Sequence, residues 1–185
     1  VITGDIGTNV GAFTGFPPGI VIGQIHVADA VSAQAATDVD LAYGGMSTIT
    51  CGSVISTTMG SGEILLPNVY CLGAASTING DLILDGLGDP TALFIFTIDG
   101  ALATTVNSRI LFTNSALLCN VWWQVNGQVD LGENSLFQGT ILANGAINLL
   151  EGATLNGRGL TRAGAIASHN TVVTNILEPT PSIIT

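Results

Sequence analysis

At 185 residues and 18.8 kDa the chain is sized for one domain with a substantial core, and it is 47% apolar, only 9% charged and free of lysine. Its 3 basic against 13 acidic residues leave a net charge of -10, which repels phosphate backbones and argues against nucleic acid as a partner. No apolar run of membrane-spanning length is free of charge or glycine, so no membrane span is expected.

In chain order, the opening VITGDIGT lacks the basic, apolar character of an export signal. From Ala28 to Gly45 the run ADAVSAQAATDVDLAYGG sets Val31, Ala35, Val39 and Ala42/Tyr43 at helical spacing. Asp29 is placed to cap its start and Gly44-Gly45 to stop it. A single helix over about residues 28-43 is predicted, and the face under its apolar stripe is thereby removed from function. Cys51 and Cys71 bracket the short segment GSVISTTMGSGEILLPNVY, and a bridge there suits an oxidising compartment. Cys119 is expected as a buried apolar thiol. Three scattered cysteines lack the tight pairs of a zinc site, and no metal or cofactor is expected. In GDLILDGLGDP, Asp81, Asp85 and Asp89 recur every four residues, but a strand intervenes where a calcium loop would pack its ligands densely. They read as solvated turn carboxylates.

The second half repeats. Gly-Ala/Gln-apolar tripeptides start at Gly100, Gly127, Gly145 and Gly164, with a forerunner at Gly73-Ala74, so the spacings are 27, 27, 18 and 19 residues. The rows WWQVNGQVDLGENSLFQG, TILANGAINLLEGATLNG and RGLTRAGAIASHNTVVTN hold apolar residues in nearly the same columns, as stacked coils do. A coil of about 18 residues suits three short strands, with successive coils about 4.8 Å apart. Ile141, Ala143, Ile147 and Leu149 alternate around the Asn144-Gly145 turn, and the longer spacings imply insertions such as DGLGDP. In such strands one of Trp122 and Trp123 points inward and the other outward.

With a lone early helix, the opening TGDIGTNVGAFTGF and above all CNVWWQV at Cys119 to Val125, GTILA at Gly139 to Ala143 and GATLNGRGL at Gly152 to Leu160, the chain resembles the bacterial and fungal ice-binding (antifreeze-like) β-solenoid family over nearly its whole length. The resemblance implies a mainly β fold, a solenoid of roughly triangular cross-section with discontinuous coils and the helix packed along one side. The N-terminal coil would close beside C-terminal strands. It implies a secreted, extracellular or cell-surface protein that adsorbs to ice through a flat face bearing Thr, Ser, Asn and Ala, without cofactor or turnover. Relatives carry a further strand upstream of VITGDIG. The expected organisation is a solenoid domain over 1-176 and a Pro-containing tail, 177-185, that serves as a linker or donates a strand to a neighbouring subunit.

Candidate outward residues on the ice face are Thr8, Thr14, Thr77, Thr104, Thr105, Thr140, Thr154, Thr161 and Thr171, against the plainer reading that threonine simply favours strands. The alternative function is a structural or adhesive module, including a filament subunit joined through the N-terminal edge and the tail. An enzyme is not expected. His26 and His169 stand outside any metal or triad motif, and Arg109, Arg158 and Arg162 are the only basic side chains for a lyase-type base.

Overall fold

The computed structural model describes residues 1–175, so the predicted boundary at 176/177 and the tail lie outside the described residues. Alternating inward apolar and outward small residues fold the chain into parallel strands that stack coil on coil. The 18-residue repeat is the register itself: Trp122 pairs with Thr140 and Thr140 with Arg158, while Leu136 pairs with Thr154 and Thr154 with Val172.

Each coil contributes to three faces. A long-strand face runs through Glu63–Leu65, Asp81–Asp85, Arg109–Thr113, 136–138, 154–156, Val172–Thr174, Ile2–Thr3 and Val21–Ile22. A second face holds Ser53–Val54, Asn68–Leu72, Phe94–Ile98, Val121–Val125, 140–143 and 158–161. These two form one twelve-stranded sheet because Leu136–Ala143 and Thr154–Thr161 turn the corner without breaking. The turn is made at Gly139 (φ 116°) and Gly157 (φ 132°), backbone conformations that only glycine adopts readily. The third, short-strand face stacks Thr58–Gly60, Ser76–Asn79, Leu102–Thr104, Val129–Leu131, Ile147–Leu149 and Ile166–Ser168 in a sheet of six. Closure is discontinuous: Val173 donates to the Val1 carbonyl and Asn175 to that of Thr3, so the first strand lies beside the last described one.

The interior is filled by stacked inward columns that are mostly apolar. Tyr70, Phe96 and Trp123 stack along the second face, with Phe96 and Trp123 centroids 3.8 Å apart. Trp123 is fully buried and donates from Nε1 to the Gln138 carbonyl at 3.1 Å, whereas Trp122 is half-buried and outward.

The helix spans Ala30–Met46 and lies along the second face, where Gln124 donates to the Tyr43 carbonyl and Tyr43 Oη to Asn126 Oδ1. Asp29 caps it in a reciprocal box with Ser32. That box corrects the predicted stripe. Ser32 turns inward, so the inward line runs through buried Ser32 and Tyr43 with half-buried Ala36, Val39 and Met46, which keeps the predicted Val39 and Tyr43, while Val31 and Ala35 face outward and Val31 is 55% exposed. Gly44-Gly45 do not stop the helix either. It continues one turn to Ser47, whose N–H and hydroxyl both reach the Tyr43 carbonyl, because the solenoid supplies partners there. Cys51 and Cys71 are disulfide-bonded. Cys119, expected to be buried, is exposed, since it sits in the short 3-10 turn Leu118–Asn120 that leads out of an insertion rather than in a strand.

Candidate functional site

The helix covers one face, which leaves two. The long-strand face is uneven. Arg109 and Asp81 form a bidentate ion pair across its strands at 2.9 and 2.7 Å, and that guanidinium holds the Asp81 carboxyl below its usual range. Leu111, Ile83 and Ile64 stand in the next outward column, with Ile64 58% exposed.

The short-strand face is even. Its strands place alternate residues in the core, Leu102, Val129 and Ile147 in one column and Thr104, Leu131 and Leu149 in the next. Between them the outward central column reads Thr58, Thr77, Ala103, Asp130, Asn148 and Ala167 in register. Flanking it on the N-terminal side are Ala75, Ala101, Gln128, Ala146 and Ala165, one residue before each paired strand position. Side chains of this size leave a plane of methyl groups interrupted by polar atoms at the strand spacing of about 4.8 Å. Those polar groups are tied down: Gln128 Nε2 donates to Asp130 Oδ2 and Asn148 Nδ2 to Asp130 Oδ1, both at 2.7 Å, and Thr105 Oγ1 donates to Asn79 Oδ1 at 3.1 Å.

Of the predicted threonines, Thr77 and Thr105 lie on this face and Thr154 on the long-strand face. The others are not brought together with them. Thr104 points into the core and accepts the Gly132 N–H at 2.7 Å. Thr140 is 5% exposed on the face that the helix covers. Thr161 shares the inward column of Val125 and Ala143 and donates to the Gly145 carbonyl at 2.6 Å. Thr171 is buried in a corner stack with Ser108, Ser135 and Ala153. Thr8 belongs to the separate two-stranded sheet Ile6–Thr8 with Ile25–Val27, and Thr14 to the exposed loop 9–20. For Thr104, Thr140 and Thr171 the expectation of an outward, accessible hydroxyl is therefore corrected by burial, and for Thr161 by its inward position in register with Val125 and Ala143.

The residues that compose the even face, Ala101, Ala103, Gln128, Asp130, Ala146, Asn148, Ala165 and Ala167, are absent from the threonine list. Their signal was the repeat: the residue after each repeating glycine is outward, and so is the residue two further on. Among the described residues no three His, Cys, Asp or Glu side chains are grouped to hold a metal ion, and no helix is long and apolar enough to cross a membrane. His26 pairs with Asp29 at 2.7 Å at the helix start, far in the chain from His169.

The family model described as Ice-binding-like matches residues 1–174. An ice-binding protein of Nostoc sp. (strain HG1) is 38% identical over 177 residues, 95% of this chain and 65% of that protein. One of Colwellia sp. is 33% identical over 63% of this chain, which spans 47% of its length. Among solved structures, an ice-binding protein from the Antarctic ascomycete Antarctomyces psychrotrophicus superposes with a TM-score of 0.89 at 33% identity, covering 96% of this chain and 88% of its own. One from an Antarctic Flavobacteriaceae bacterium gives 0.90 at 35% identity, over 97% of this chain and 44% of its own.

Proposed function

The chain belongs to the Ice-binding-like family, and from that premise we propose that it adsorbs to ice through the short-strand face. The observation that carries this reading is the register of small outward residues, Thr77, Ala103, Asp130, Asn148 and Ala167, on the face that neither the helix nor a bulky side chain obstructs. Methyl groups in a plane cannot hydrogen-bond water and so favour an ordered, cage-like layer over them, while hydroxyl, amide and carboxylate groups at regular intervals anchor that layer. A stacked, disulfide-closed scaffold presents the array without ordering it anew, which lowers the cost of adsorption.

Three narrower readings accompany it. The described chain acts as one solenoid domain; it works by adsorption without turnover; and it resides outside the cell, where the Cys51–Cys71 bridge persists. The predicted ice partner is the same, whereas the predicted polymer through the tail concerns residues outside those described.

The test is steric. Ala103→Tyr and Ala146→Tyr each raise a ring from the plane at an outward position without entering the core. Both are expected to abolish crystal shaping and thermal hysteresis with the circular dichroism spectrum unchanged. Full activity in both variants would remove the short-strand face from ice contact.

A further inference from the structure

We propose that Asp130 is the positioning residue of this face: its carboxylate is the shared acceptor that holds the amides of Gln128 and Asn148 in one orientation before ice arrives. The inference rests on the reading of the short-strand face as the ice-adsorbing surface.

A carboxylate is out of place there on simple grounds. The other members of its column are Thr58, Thr77, Ala103, Asn148 and Ala167, and a charge among them should keep a hydration shell of its own and disturb an ordered layer. Its surroundings remove that objection. Gln128 immediately precedes the strand Val129–Leu131, two residues before Asp130, and its side chain reaches the same carboxylate, while Asn148 is the register partner of Asp130 on the next coil. Each takes a different oxygen, Gln128 Nε2 on Oδ2 and Asn148 Nδ2 on Oδ1, both at 2.7 Å, the length of charge-assisted hydrogen bonds.

Every amide so held donates one N–H to Asp130 and keeps its second N–H and its carbonyl for water. A glutamine on an exposed strand otherwise samples many rotamers, and ordering it at the ice surface would cost entropy at that moment. The carboxylate moves this ordering into the folded state. It accepts at both oxygens, which no neutral replacement of its size does: asparagine offers one acceptor end and one donor end, so one of the two amides must reverse or detach, and threonine has a single oxygen.

The two views of Asp130 predict opposite signs. If the charge is merely tolerated, Asp130→Thr repeats the Thr77 pattern and leaves thermal hysteresis equal or higher. If Asp130 positions its neighbours, Asp130→Thr and the near-isosteric Asp130→Asn both lose activity several-fold, with melting temperature and circular dichroism unmoved because the side chain is outward. The measurement is thermal hysteresis of both variants beside Ala103→Tyr, Ala146→Tyr and the unaltered protein. Loss in both Asp130 variants supports the proposal. Undiminished activity in Asp130→Thr with an inactive Ala103→Tyr overturns it and leaves the face standing. Full activity in both Ala103→Tyr and Ala146→Tyr overturns the face and the proposal together.

Discussion

Single residues decide whether the coils can stack. Gly157 shows this most directly, because a Cβ there would overlap the Gly139 carbonyl of the preceding coil and its φ of 132° is one that side-chain-bearing residues rarely adopt. Gly157→Ala is expected to destabilise the fold by about 1–3 kcal/mol from backbone strain alone, measurable as an earlier midpoint in urea. Gly132 meets the same limit, because a Cβ there would overlap the Thr104 carbonyl of the preceding coil, whereas the small alanines of the short-strand face keep its plane level. The threonines illustrate the opposite lesson. Thr104, Thr140 and Thr77 share a side chain, yet one fills the core, one lies under the helix-covered face and one stands in the open, so residue type alone says little about role.

At the scale of elements, the helix is the part whose start depends most on one side chain. Asp29 accepts the Ser32 N–H at 2.8 Å and meets His26 Nδ1 at 2.7 Å. The backbone hydrogen bond from Ser32, followed by that to His26, lowers its carboxyl to about 2 from an ordinary 3.8. A depressed folded-state value means the cap is fully in place above pH 3.8 and is lost as pH falls through about 2. Amide exchange of the first helical turn should therefore stay slow at pH 4 and quicken below pH 2, and Asp29→Ala should speed it roughly fivefold at neutral pH, the effect of a lost cap. Unchanged exchange in that variant would assign the helix start to packing alone. At its other end the helix is held by Arg162, which bonds Asp40 Oδ1 at 2.6 Å and lies over the Tyr43 ring at 4.7 Å. The element thus shields one face along several coils and leaves the short-strand face clear.

For the molecule as a whole, rigidity is the property that function draws upon. Parallel coils are locked to each other by side-chain ladders at the corners, such as Asn126 to Asp99 at 3.0 Å and Asn144 to Asn126 at 3.4 Å, and the opposite end is tied by the disulfide. The bridge closes a loop with a sequence separation of 20, so the Cys51→Ser, Cys71→Ser double variant should lose about 3 kcal/mol of stability on the chain-entropy account. Calorimetry would register this as a lower melting temperature, and an unaltered one would show that strand pairing suffices at that end.

Much of this was written in the sequence because a solenoid's order is local. The period of 18 residues, the inward apolar columns, the Asp29 cap and the alternate directions of Trp122 and Trp123 all follow from spacing, since each coil repeats the backbone conditions of its neighbour. Spacing could not tell which of three faces is open. That depends on where a helix lands, on which corner absorbs the insertions around 86–93 and 114–120, and on strand register, where a shift of one residue exchanges core for surface. Thr140 and Asn148 both occupy outward positions, on strands that follow one another in the chain but lie on different faces, and only the tertiary structure buries the first and leaves the second facing solvent, because burial is a relation between segments distant in the chain.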